Sequence, residues 1–300
     1  MGTAVQTNTV EAQRLQAEGK FEQARDLYEK SLLINPGDVG AQEGMSSTSE
    51  RLSLNERASG HMDAALADLV RARKVEPGDQ RVLLDLGIIE EEMGLYIDGA
   101  NTLEHLVSLK PEDPNAFYAL ARVDLDLGRL AAAQQEMEAY LNIRPLDASA
   151  HYGLGRIYLQ GLQFEKAAQE LDKSISIQPK QSEAYYQLGE VDLNQNKLED
   201  SIAEFQKTLD RSPQHGGALV GIGIAFFKLK QYDKAKEWLV KGTHAAPDYQ
   251  PGHYYLGLTL VRLGDTAASR QELDVATSLA ARDSKQSSTR LRLFNTDGQP

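Results

Sequence analysis

Six prolines stand at one constant interval: Pro77, Pro111, Pro145, Pro179, Pro213 and Pro247 follow one another every 34 residues. Proline lacks the amide proton that a helix interior uses, and it drives the residue before it out of helical backbone space. A chain stopped this regularly cannot build long helices. Self-similarity at such a period marks stacked helical repeats rather than one globular core. The unit is plainest in 148–181, ASAHYGLGRIYLQGLQFEKAAQELDKSISIQPKQ, which falls on a version of itself when moved one period either way.

Each unit reads as two short amphipathic helices and a turn. Asp38, Asp79, Asp113 and Asp147 come two residues after four successive prolines. An aspartate there can cap the free amides of the next helix, and Pro114 then takes the favoured first helical position. Gly60, Gly94, Gly128 and Gly264 mark the turn inside the unit, where left-handed backbone costs glycine least. Asn196 takes the same phase. Small residues recur where paired helices must approach: Gly87, Ala121, Gly155, Gly189, Gly223 and Gly257 in the first helix, and Ala65, Ala133, Ala167 and Ala235 in the second. Helices this short are marginal alone, so stacking must stabilise each unit.

One unit breaks the period. Pro36 to Pro77 is 41 residues, seven more than the rest, and seven residues make two helical turns. Ala41, Met45, Thr48 and Leu52 keep one face in phase, which predicts a first helix longer by two turns. The alternative is a loop or kink at the serine-rich 45–49. The predicted organisation is a short disordered N-terminus over 1–7, eight repeats over 8–283 and a flexible tail over 284–300. The first helix is placed near Val10–Glu18.

Composition narrows the function classes. A formal net charge of -12 disfavours unspecific binding to nucleic acid or anionic lipid. The chain has no cysteine, which excludes disulfides, thiolate metal sites and cysteine nucleophiles. No apolar run approaches the ~20 residues that span a bilayer, so no membrane insertion is expected. The first residues carry neither a basic start nor an apolar stretch. A cytoplasmic protein is expected, with a periplasmic or exported one open if a signal peptide has been removed.

These residues resemble the tetratricopeptide repeat family. Its pattern of Leu–Gly/Ala, aromatic, turn Gly, Ala, large apolar residue and closing Pro is met in 148–181 by Leu154, Gly155, Tyr158, Phe164, Ala167, Leu171 and Pro179. The next unit supplies Tyr185, Leu188, Gly189, Leu198, Phe205 and Pro213. The resemblance covers roughly 8–282. Ser174, Thr208 and Gly242 depart from the pattern at the late Ala, and Leu162 and Lys230 at the turn Gly. The resemblance implies an all-α fold, a right-handed superhelical α-solenoid of tandem helix hairpins. It also implies a concave groove lined by the first helices, and a scaffold or adaptor that binds a peptide or protein segment there. The fold alone does not set the function.

One phase of the first helix reads Tyr118, Tyr152, Tyr186, Val220 and Tyr254, and one turn on stand Arg122, Arg156 and Glu190. Positions i and i+4 share a helix face, and the resemblance turns that face to the groove. Tyrosine offers wide contact at small entropic cost, and arginine can hold a carboxylate or phosphate in two bonds. Tyr118, Arg122, Tyr152, Arg156, Tyr186, Glu190 and Tyr254 are therefore the candidate binding residues. Two plainer readings stand beside this one. The tyrosines can pack between neighbouring first helices, and an arginine can pair across repeats, as Arg156 with Glu190. Glu90, Glu91 and Glu92 make one end of this face acidic, either as a ligand contact or as a solvated helix face. Val220, Ile224, Phe227, Lys228 and Arg262 make the other end apolar and basic.

No catalytic constellation is predicted, and no cofactor or metal site. The six histidines lack the spacing of a zinc site, and Gly221-Ile222-Gly223 lies inside a predicted helix with no strand before it. Two other functions remain as alternatives: an assembly or regulatory subunit of a cell-envelope or secretion complex, and an RNA-binding helical repeat.

Overall fold

The computed structural model describes the backbone of residues 2–294 and the side chains of residues 7–282. Among the described residues there are sixteen α-helices and no strand. The chain divides into two compact units, Met1–Leu146 and Asp147–Pro300. The first unit holds α1 (Gly2–Ala17), α2 (Phe21–Ile34), α3 (Val39–Ala58), α4 (Met62–Val75), α5 (Gln80–Glu92), α6 (Tyr96–Leu109), α7 (Pro114–Asp126) and α8 (Leu130–Ile143). The second holds α9 (Ala148–Gln160), α10 (Phe164–Ile177), α11 (Glu183–Asn194), α12 (Leu198–Arg211), α13 (Gly216–Lys228), α14 (Tyr232–Ala245), α15 (Gln250–Arg262) and α16 (Thr266–Phe294).

Within each unit odd and even helices pair as hairpins, each even helix packs on the next odd one, and consecutive odd helices adjoin. This is an all-α solenoid of stacked hairpins. Its core is a series of small clusters, such as Leu83, Ala100, Leu103, Leu106 and Leu120 in the first unit, and Phe205, Leu219, Ile222, Leu239 and Leu256 in the second. The small-residue row explains how hairpin helices come so close. A Cβ added at Gly155 would lie 2.8 Å from Leu171 Cγ, and one at Gly189 would lie 2.6 Å from the Phe205 ring.

The turns obey the period more strictly than their residue types do. Gly60, Gly94, Gly128 and Gly264 have φ of 72° to 85°. Leu162, Asn196 and Lys230, with no glycine to offer, still adopt φ of 56°, 60° and 61°. Stacking on both sides holds these turns, at a cost of roughly 1–2 kcal/mol for leucine or lysine.

The first helix of the 41-residue unit is unbroken. α3 runs for 20 residues where α5, α7 and α9 run for 13, and it passes straight through Met45–Ser49. Its added turns pack on α2, where Gly44 leaves room for the buried Tyr28 ring. Ser46, Thr48, Ser49 and Ser53 are all buried along it. Ser46 Oγ donates to Glu76 at 3.1 Å, while the Thr48 and Ser49 hydroxyls are buried with no partner among the described residues. Small volume, rather than hydrogen bonding or intrinsic helix preference, therefore suits this run to a crowded interface.

Both ends are more helical than expected. α1 begins at Gly2, well before Val10, because nothing in 3–9 breaks a helix. α16 continues to Phe294, since 284–294 holds neither proline nor glycine. Of the expected tail over 284–300, the side chains and the backbone of 295–300 lie outside the described residues, as do the first residue and the side chains of 1–6 in the expected 1–7 terminus. Among the described residues, no helix is long and apolar enough to cross a membrane.

Candidate functional site

The odd helices carry every candidate residue, and the two units treat them differently. In the first unit Tyr118 lies on α7 with its ring 5.1 Å from that of Tyr140 on α8, tilted by 50°. One turn on, Arg122 reaches back to α5 and pairs with Glu91 at 2.7 Å. Glu91 is only 7% exposed and Glu90 only 4%. Two of the three residues of the acidic run are therefore buried, and Glu92 alone is exposed. Burial raises the pKa of both carboxyls; Thr102 and Arg73 oppose the rise at Glu90, and Arg122 opposes it at Glu91. Glu92 pairs with Arg57 of α3. Arg122 is thus spoken for by its own chain, as the cross-repeat alternative anticipated for an arginine of this row.

In the second unit Arg156, on α9, is exposed and makes no ion pair among the described residues. Its guanidinium lies over the Tyr152 ring, 5.9 Å from the centre. The expected Arg156–Glu190 pair is not formed, because Glu190 turns along α11 toward other partners. Tyr152 is half-buried; burial raises its pKa, with Arg156 opposing and Glu183 adding to the rise, and the Gln187 side chain stands by its hydroxyl.

Tyr186, on α11, sits at a junction. Its ring lies 4.6 Å from the His215 ring and 5.8 Å from Phe205. The opening turn of α13 clears the space, since a Cβ at Gly217 would stand 2.9 Å from the Tyr186 ring. Beside it the Glu190 carboxyl is pushed up to about 7, chiefly by burial, with Lys228 and the Tyr186 hydroxyl pulling the other way. Tyr249 closes the group from the start of α15. Burial raises the Tyr186 and Tyr249 phenols, each also affected by the Glu190 charge and by the other's hydroxyl. Tyr254, further along α15, is 43% exposed and stacks edge-on to Tyr255 at 5.4 Å. Tyr255 in turn meets Phe227 at 5.5 Å. Val220 and Ile224 are buried, so the apolar end of this face is mainly core.

His215, Tyr249, Lys228 and Gln187 were not among the candidates. A signal for two of them lay in the helix caps. Asp38, Asp79, Asp113 and Asp147 each accept from backbone amides of the helix they precede. The same phase then reads Gln181, His215 and Tyr249. His215 still caps, its Nδ1 accepting from Ala218 N at 3.0 Å, while Tyr249 makes no cap at all. Two other histidines tie hairpin helices together: His151 Nδ1 meets Glu170 at 2.6 Å and His253 Nδ1 meets Glu272 at 2.7 Å. Among the described residues no group of three or more His, Asp or Glu is placed to hold a metal ion.

Comparison with known proteins settles the family. Two family profiles, both described as tetratricopeptide repeat, match residues 118–182 and 192–256, the stretches that carry these hairpins. The chain is a tetratricopeptide repeat protein. Repeats of this family are in general non-catalytic, and their presence here supports a protein-interaction scaffold. Among solved structures, the crystal structure of the APC/C hetero-tetramer Cut9-Hcn1 is similar with a TM-score of 0.65 at 16% identity, over 87% of this chain and 50% of that one. A tetratricopeptide repeat protein from Parabacteroides merdae ATCC 43184 gives 0.60 at 15% identity, over 86% and 99%. MamA gives 0.50 at 25% identity, over 54% and 95%. At such identities the first two show the fold alone. No curated protein matches the chain.

Proposed function

We propose that this tetratricopeptide repeat chain is a non-catalytic adaptor that holds a peptide or protein segment along the odd-helix face of its second unit. Tyr152, Arg156, Tyr186, Glu190 and Tyr254 are the contact residues; Tyr118 and Arg122 hold the same repeat phase in the first unit, where Glu91 engages Arg122. The observation that carries this reading is Arg156: an exposed guanidinium without an acidic partner, in a chain of 44 acidic and 32 basic residues. An acid-rich surface offers many carboxylates, yet this cation rests on a tyrosine ring instead. That leaves its bidentate fork free for an acidic group on a ligand. Tyr254 adds an exposed aromatic on the same set of helices, of the kind enriched at binding hot spots. The net charge of -12 favours a protein partner over nucleic acid.

A photo-reactive residue placed at 156 or at 254 tests the reading. In lysate of the source cells, either position should yield covalent adducts with a defined set of polypeptides. Gln206, exposed on an even helix, serves as the control. Adducts formed equally well from 206, or from none of the three, would sink the assignment of this face.

A further inference from the structure

Tyr249 departs from a rule that Asp38, Asp79, Asp113, Asp147 and His215 keep at its repeat phase; Gln181, the other departure, turns its amide to Ser174 Oγ. The four aspartates of that phase cap their helices, and a lost cap costs about 1 kcal/mol. Tyr249 gives up that stabilisation, and its phenol stands by Tyr186 and Glu190 instead. Positions that break a local rule in favour of a distant contact are where function is expected. The contact formed is a polar group of one carboxyl and two phenols set into the candidate face.

The Glu190 carboxyl makes no ion pair among the described residues. Lys228 is the nearest cation that acts on it, but its Nζ donates to the Leu193 carbonyl at 3.1 Å instead. The carboxyl is thus mostly withdrawn from water without the counter-charge that burial demands. We propose that the Glu190 carboxyl, flanked by the Tyr186 and Tyr249 phenols, is the seat of a basic side chain, lysine or arginine, of the segment this face binds. The chemistry of the site selects that ligand. An ammonium or guanidinium gains a charge-assisted bond to the carboxylate and the attraction of aromatic faces. An acidic group would be repelled by Glu190, and an apolar one would bury the carboxyl with nothing to accept from. Burial that already pushes the carboxyl up to about 7 agrees with a site short of positive charge.

The inference rests on the binding reading above and deepens it, so the experiment must separate the two. A random peptide library is displayed and selected against the immobilised full chain and, in parallel, against Glu190→Gln. Glutamine keeps the shape, and thermal melts of both proteins check that the fold is intact. Selections on the unsubstituted chain should converge on peptides with Lys or Arg at one fixed position, and selections on Glu190→Gln should lose that preference. A synthetic copy of the leading peptide should bind Glu190→Gln about tenfold more weakly or worse. Replacing its basic residue by glutamine should weaken binding to the unsubstituted chain but make little further difference on Glu190→Gln, which isolates the pair. Peptides selected without a basic residue, or bound equally by both proteins, overturn this inference and leave the binding face standing. Should Glu190→Gln fail to fold, the preference seen on the unsubstituted chain alone decides. If neither protein selects any peptide, the binding reading falls and takes the inference with it.

Discussion

Glu136 offers the most direct test of the electrostatics, because it is a carboxyl placed against a carboxyl. It lies on α8 facing Asp124 of α7, and Asp124 is buried. Asp124 keeps a counter-ion, since Arg129 Nη1 donates to its Oδ1 at 3.2 Å. Glu136 has one buried oxygen with no partner. Burial first, then the Asp124 charge, push Glu136 up to about 8 from 4.5. A group whose pKa is raised by folding is satisfied while protonated, so its penalty is absent below about 4.5. The penalty then grows as pH climbs to about 8, and is constant above that. At 1.36 kcal/mol per pH unit the interval sets a ceiling of ~5 kcal/mol. Glu136 is only half-buried, and solvent screening brings the expected figure down to about 1–2 kcal/mol. Glu136→Gln removes the titration and gives Asp124 an amide donor. Urea melts of the two proteins should coincide near pH 4.5. At pH 8.5 the variant should be more stable by about 1–2 kcal/mol, a rise in Tm of a few degrees for a unit of this size. If the two proteins keep a constant stability difference from pH 4.5 to 8.5, or the variant is the weaker at pH 8.5, the account of this pair is wrong.

Leu162→Gly should stabilise the second unit by about 0.5–1 kcal/mol, because the 69% exposed leucine contributes little packing at φ 56° and glycine adopts that backbone freely; thermal melts that show a loss would refute it. Arg122→Ala should cost the first unit about 2–3 kcal/mol by stranding the buried Glu91. Adding Glu91→Gln should recover most of that loss in the same denaturant series, and no recovery would mean that Arg122 acts through its packing. Tyr249→Asp should restore a cap worth about 1 kcal/mol to α15 while removing one phenol from Glu190. Melts and the peptide selections read these two effects separately, and a variant destabilised by the change would show that the Tyr249 ring is chiefly core.

The parts of this molecule that were legible in its sequence are those governed by one residue's effect on its own neighbourhood. Proline every 34 residues, glycine at the turns and a small residue at each close approach are local devices, and repetition makes them conspicuous. The two extra turns of α3 could be counted from Pro36 to Pro77, although the serine-rich run 45–49 argued for a kink; burial in the stack overrides its weak helix preference. Reading the turns by residue type alone misplaces emphasis in the other direction. Leu162 and Lys230 adopt left-handed backbone without glycine because the stack fixes the path of the chain on both sides.

The candidate face was legible as a row and illegible as a set of partners. A periodic reading assigns every tyrosine and arginine of one phase the same role, yet each side chain answers to residues one or two repeats away. Arg122 and Arg156 are one period apart and chemically identical. Glu91 occupies the first, while the residue at the equivalent place before the second is Leu125, which cannot pair with it. The same reasoning runs in reverse at Tyr249. Its departure from aspartate at the cap was visible in the sequence, but its meaning required knowing that its phenol stands by Tyr186 and Glu190, two repeats earlier in the chain. In a repeat array the shared residues build the stack, and the residues that depart from the shared pattern are the ones free to differ in what they recognise. Glu190 and Tyr249 are such departures on the odd-helix face of the second unit, and on the proposed reading a ligand would offer an acidic residue to Arg156 and a basic one to Glu190.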